Sequence, residues 1–230
     1  MVEYTYLVGS LITILIWFIL YYFRKDLRKE MIVMGSIVMI LGLIMEAFVW
    51  TKDWWRPVTI TGSLIGVEDL LFGFGIGGVS AVIYEELFKK RLVFRKKTDH
   101  HHTKQLIFLL ALSVILGNSS YFGLGYNSAI SWVIAIMIPT IIMYILRPDL
   151  ILDSVVTGSL LAFFGFIEAF VLNLIEPGFV YNWWLFESLS GIVILELPLE
   201  DIIWFFTAGL FVGIIYEFWQ GGRLQKIKKK

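Results

Sequence analysis

Apolar residues in this chain come in long continuous runs, not in the two-residue alternation of a half-buried strand. Seven runs, at about 4–23, 31–50, 64–88, 105–122, 129–146, 154–175 and 197–219, each approach the roughly 20 residues that a helix needs to cross a hydrocarbon core. Open strands in lipid would leave their backbone groups unpaired, and barrel strands would alternate, so neither explains runs of this kind. The first run has neither a basic leader nor a small-residue cleavage site, so it reads as a span and not as a secretory signal. The pattern predicts an all-α integral membrane protein of seven transmembrane helices.

Composition agrees. The 230 residues are 58% hydrophobic and 17% charged, against about 45–50% and 25% in soluble domains. Of the 19 Lys and Arg, only Lys52 and Arg56 fall on the side of the second loop; the rest follow spans one, three, five and seven. The positive-inside rule then puts the N-terminus outside and the C-terminus in the cytoplasm of a multi-pass cell-membrane protein. Basic residues at membrane edges argue against a nucleic-acid partner. With no cysteine, disulfides and thiolate chemistry are excluded.

The two halves resemble one another. Arg24-Lys25-Asp26 matches Arg147-Pro148-Asp149, and Gly35-Ser36 matches Gly158-Ser159, both 123 residues on. Glu46-Ala47-Phe48 matches Glu168-Ala169-Phe170 after a one-residue slip, and Trp54-Trp55 has a counterpart in Trp183-Trp184. Glu68-Asp69 matches Glu200-Asp201, and Tyr84-Glu85 matches Tyr216-Glu217, both 132 residues on. The expected organisation is therefore two parallel three-helix repeats plus a connecting helix: a first repeat over 1–90, a basic loop and connector over 91–128, a second repeat over 129–222 and a basic tail over 223–230. Parallel repeats commonly enclose a site at their interface.

Carboxylates inside apolar spans are the chemically informative feature. Glu46, Glu68, Asp69, Glu168, Glu200 and Asp201 all fall in or beside spans, toward the external half. An intramembrane charge costs roughly 2.5–3.5 kcal/mol near a helix centre, so such groups usually face the bundle interior. Acids at a first helical turn also suit the helix dipole, and Pro198 marks such a turn, but this does not explain why the pair recurs in both halves. Removal from water favours the protonated form of a carboxyl, which makes a protonated acid beside an ionised one a natural acid–base pair. Phe48, Trp50, Trp54, Trp55, Phe72, Phe74, Phe170, Trp183, Trp184, Trp204, Phe205 and Phe206 surround these positions. Aromatic faces attract cations by about 2 kcal/mol when desolvated, although many of these rings also suit interfacial belts and packing.

The stretch Pro198-Leu199-Glu200-Asp201-Ile202-Ile203-Trp204-Phe205-Phe206 resembles the P-x-E-(E/D)-x-x-x-F-F signature of the integral-membrane lycopene cyclases, in their fused form. The resemblance implies cyclisation of the end groups of a linear carotenoid or related polyprenoid without net redox change. It implies catalytic roles for Glu200 and Asp201, with Glu68 and Asp69 in the matching first-half positions. Glu46, Glu168, Trp204, Phe205, Phe206 and Phe72 are the expected substrate-binding residues. The first half departs from the signature: Gly66-Val67-Glu68-Asp69 lacks the proline, and glycines at 73, 75, 77 and 78 crowd the third span. Whether both halves carry a competent site stays open.

Other signals carry less. Gly73-Phe74-Gly75-Ile76-Gly77-Gly78 matches a dinucleotide fingerprint, but no strand precedes it, and its small-residue spacing suits helix packing. His100-His101-His102 sits in a charged loop without a further ligand set. Tyr84-Glu85-Glu86 and Tyr216-Glu217 read as interfacial residues at span ends, and the lysine-rich tail as a topology signal. No cofactor or metal is evident. The expected partners are the bilayer and a hydrophobic carotenoid or polyprenoid, with a homo-oligomer left open. The alternatives are a transporter of parallel repeats or a non-catalytic relative. The chain lacks the Pro-Gln pair of sugar carriers built this way, and a retinal receptor would need a lysine within 197–219, where there is none.

Overall fold

In the computed structural model, residues 2–93 and 102–227 are described. The basic stretch containing Arg95, Lys96, Lys97, His100 and His101, and the tail lysines Lys228, Lys229 and Lys230, lie outside them. The fold is all-α: α1 (Val2–Phe23), α2 (Arg28–Met45), α3 (Val67–Ser80), α4 (Ile83–Leu87), α5 (Thr103–Asn118), α6 (Ser128–Leu146), α7 (Ile151–Ile175), α8 (Phe179–Trp183) and α9 (Leu199–Gln220). A π-helical turn, Glu46–Trp50, and a last turn, Thr51–Asp53, prolong α2. Strand pairs are minor. The short strands β1 (Lys90–Val93) and β4 (Arg223–Lys226) pair antiparallel at one end, and the hairpin β2 (Val193–Ile194) and β3 (Leu197–Pro198) leads into α9.

Six helices among the described residues are long and apolar enough to cross a membrane: α1, α2 with its extension, α5, α6, α7 and α9. The expected span 64–88 differs. Its helix begins only at Val67, and a turn at Ala81-Val82 divides it into α3 and α4. The 14 residues of α3 are too few to span alone. Large apolar side chains such as Leu15, Phe18, Ile40, Phe108, Ile145 and Phe163 stand exposed around the bundle. In water such a surface would be a severe aggregation liability; in lipid it is the outer wall.

Two helices organise the interior. α3 packs against α1 and α2, and α9 packs against α6 and α7, while α5 lies on α6. Of the six apolar helices α9 is the most enclosed, with 72% of its most apolar stretch buried, against 17–39% for the others. Glycine permits these close approaches, because without a hydrophobic drive between helices in lipid, association depends on backbone proximity. A Cβ on Gly35 would come 2.6 Å from the Phe74 carbonyl oxygen, and one on Gly158 would come 2.7 Å from that of Phe206. The glycine-rich α3 serves two neighbours: Gly73 and Gly77 face α2, while Gly75 and Gly78 face Thr13 and Trp17 of α1.

Candidate active site

The ends of α3 and α9 set the site. In each helix the Glu-Asp pair occupies the second and third residues of the first turn: Glu68-Asp69 after Val67, Glu200-Asp201 after Leu199. The roughly 100° between neighbours sends the two members of a pair in different directions. Both aspartates line a central cavity of about 370 Å³; both glutamates turn toward the loops that precede α3 and α9. Glu68 is fully buried and accepts the Ile60 N–H at 2.6 Å. Glu200 accepts the Ser190 N–H at 2.7 Å.

Asp69 uses both oxygens. Oδ1 accepts the Tyr6 hydroxyl at 2.6 Å, and Oδ2 accepts the Gly66 N–H at 2.6 Å, tying α1 to the start of α3. The Glu46 carboxyl faces that of Asp69, and its Oε2 has no hydrogen-bond partner among the described residues. Glu46 opens the π-helical turn, whose extra residue per turn displaces side chains relative to a regular helix. The one-residue slip between Glu46 and Glu168 falls beside this turn, while α7 runs through the matching stretch as regular helix. Thr51 Oγ1 donates to the Glu46 carbonyl at 2.8 Å and so supports the turn.

Asp201 is held differently. Its Oδ2 accepts two indole N–H groups, Trp184 at 2.6 Å and Trp54 at 3.2 Å. The two tryptophan pairs come together through the backbone. Arg56 N–H donates to the Trp183 carbonyl at 2.6 Å and Leu185 N–H to the Trp54 carbonyl at 2.8 Å, as in a short antiparallel ladder across this end of the bundle. Glu168 also lines the cavity, with Thr13 Oγ1 3.5 Å away.

Below the acids the walls are aromatic and aliphatic. Trp50, Trp132 and Trp204 form a three-indole cluster, with ring centroids 5.6, 6.2 and 6.3 Å apart, and Phe72 stacks on Trp204 at 6.4 Å. Phe205 also lines the cavity; Phe206 is absent from its lining and offers its carbonyl to the α7 crossing instead. Along α9 the lining runs from Asp201 to Trp219, about 27 Å of helix axis at 1.5 Å per residue. The cavity is therefore long, narrow and apolar, with its carboxyls concentrated toward one end.

Of the sequence-expected residues, Asp69, Asp201, Glu46, Glu168, Phe72, Trp204 and Phe205 come together on this cavity. Glu68, Glu200 and Phe206 do not. Nothing in the sequence distinguishes Tyr6 or Trp132, since no feature of a charge-free span marks one aromatic residue over another. His102 stacks on Phe218 at 5.2 Å, apart from the carboxyl cluster.

These features define a multi-pass membrane protein with an acid-headed, indole-walled cavity suited to a hydrophobic molecule. The family model described as lycopene cyclase matches residues 3–87 and 127–219, two stretches that together cover most of the chain. The chain belongs to the lycopene cyclase family. No curated protein and no solved structure gives a significant match. The unmatched middle contains α5.

Proposed function

We propose that this protein cyclises the end groups of a linear carotenoid by proton-initiated isomerisation. The observation that carries the proposal is the placement of Glu46, Asp69, Glu168 and Asp201 at one end of a long apolar cavity walled by tryptophan. A polyene chain fits along the walls, and its terminal group lies among the acids.

The chemistry needs no redox partner. A carboxylic acid adds a proton to the terminal trisubstituted double bond and leaves a tertiary cation. An internal double bond attacks that carbon, closing the ring and moving the charge. Loss of a different proton to a carboxylate restores neutrality, so one proton enters and one leaves. Hydrogen bonding supports a division of roles. Asp69 and Asp201 each accept two donors, an arrangement fitted to the carboxylate form. Glu46, beside Asp69 and with a partnerless Oε2, is the proton donor we assign. The Trp50, Trp132 and Trp204 faces stabilise the developing cation, by about 2 kcal/mol for a desolvated contact. Glu68 and Glu200 hold the external loops.

The same reading takes α3 and α4 together as a seventh span, since residues 67–87 cover about 32 Å as helix, near the hydrocarbon thickness of about 30 Å. It also takes the two matched stretches as parallel repeats joined by α5, with an external N-terminus and a cytoplasmic C-terminus. Expression in a bacterium that accumulates lycopene, followed by pigment chromatography, tests the activity. Monocyclic or bicyclic products support it. An unchanged lycopene pool, with folded protein in the membrane, refutes it.

A further inference from the structure

A second set of acids lies near the opposite end of α9, and none of them lines the cavity. Glu85 of α4, Asp153 of α7 and Glu217 of α9 offer carboxylate oxygens that all lie within 4.8 Å of one another, and all three residues are at most 1% exposed. Glu30 of α2, 3% exposed, faces the same group, its carboxyl beside those of Glu217 and Glu85. Six oxygens of these four side chains have no hydrogen-bond partner among the described residues: both of Glu85, both of Glu217, Oε1 of Glu30 and Oδ2 of Asp153.

The local cations are engaged elsewhere. Arg24 forks onto Asp26, pairs with Glu86 and donates to the Glu85 backbone carbonyl at 3.0 Å, not to its carboxylate. Arg147 repeats the arrangement with Asp149 and the Glu217 carbonyl, at 3.4 Å. Lys90 directs its ammonium to the Tyr84 hydroxyl at 2.5 Å and over that ring. No ion pair among the described residues reaches any of the four acids. An uncompensated group of buried carboxyls is costly, and in folded proteins such groups are paired or coordinate a metal.

We infer that Glu85, Asp153 and Glu217, with Glu30 beside them, bind one divalent cation. The oxygen spread matches the span across a coordination sphere with metal–oxygen distances of about 2.0–2.6 Å. An all-carboxylate donor set without histidine or cysteine selects a hard cation, magnesium, manganese or calcium, over zinc. Two ionised carboxyls neutralise the ion, and the others keep protons shared with their neighbours. The ion ties α2 and α4 to α7 and α9, and so joins the two matched stretches at the end remote from the proposed chemistry. The site is independent of the activity proposed above.

Full-length protein in detergent, stripped with chelator, is titrated with Mg²⁺, Mn²⁺ or Ca²⁺, each alone, while its melting temperature is followed. Elemental mass spectrometry of the protein repurified after each titration gives the stoichiometry. One ion per chain, and a melting temperature that climbs with the logarithm of metal concentration above saturation, is the expected result for a ligand of the native state. The E85Q/E217Q double variant keeps side-chain shape, removes two charges, and should lose both the ion and the response. Should that variant fail to fold, D153N is titrated in its place. Folded wild-type protein that carries no ion above buffer background and melts at the same temperature with all three metals overturns the proposal.

Discussion

The Trp184 indole N–H lies 2.6 Å from Oδ2 of Asp201, and the two residues are 17 positions apart. Trp54, from the facing strand of the short ladder, donates to the same oxygen. A hydrogen bond to a charged group is worth roughly 1.5–3 kcal/mol, about one to two decades in rate if the charge matters to the reaction. Trp184→Phe should therefore cut cyclised product about 10- to 100-fold, with protein level unchanged on immunoblots of membranes. Asp201→Asn should cost more, about 100-fold or beyond, as for loss of an acid–base group.

The orientation of each Glu-Asp pair gives a sharper contrast. Glu46→Gln removes the assigned proton donor from the cavity and should abolish detectable product. Glu68→Gln and Glu200→Gln retain a side-chain oxygen able to accept the Ile60 or Ser190 N–H, so product should fall less than about 10-fold, within the cost of one modest hydrogen bond. Chromatography of extracted pigment, normalised to membrane protein, separates the two groups. Loss of product on Glu200→Gln equal to that on Asp201→Asn would move Glu200 into the site.

Much of this arrangement could be read from sequence, and the reason is physical. Lipid forces continuous apolar runs, so the acids within them stand out, and helix spacing already separates Glu200 from Asp201 in direction. Which member faces inward depends on tertiary contacts with Ser190 and Ile60, in loops whose paths carry no periodic signal. Trp54-Trp55 and Trp183-Trp184 were visible as paired motifs, but their junction through Arg56 and Leu185 is a long-range backbone contact. The break at Ala81-Val82 lies in an apolar run without proline and had no local marker. Glu30 and Asp153 flank basic residues near span ends and carry no motif of their own, although they stand 123 residues apart, the offset that links Arg24 with Arg147.

Helix crossing at glycine is testable by stability alone. Gly158→Ala would place a methyl 2.7 Å from the Phe206 carbonyl oxygen, a backbone atom that cannot move without shifting α9. Overpacking of this kind costs about 1–3 kcal/mol, so the melting temperature should drop by several degrees. Gly42→Ala meets nothing within 4 Å and should melt at or slightly above the wild-type temperature.

The loop between α1 and α2 should give a pH-dependent contribution. Burial opposes ionisation of Asp26, but its hydrogen bonds and charge pairing with Arg24 prevail and hold its carboxyl below the ordinary range. A lowered native value stabilises the fold above the unfolded value of about 3.9 and loses that contribution as pH falls toward the native one. Asp26→Asn should therefore melt below wild type at pH 7, with the gap closing below about pH 4. A gap that is constant over this range would assign the effect to packing.

The central claim is that a proton from the protein starts ring closure and another leaves the product. Purified protein in liposomes, supplied with lycopene in heavy water, tests it directly by mass spectrometry. The account predicts cyclic product one mass unit heavier for each ring closed, while unreacted lycopene stays unlabelled. Cyclic product without deuterium, or no cyclic product from folded protein, would contradict it.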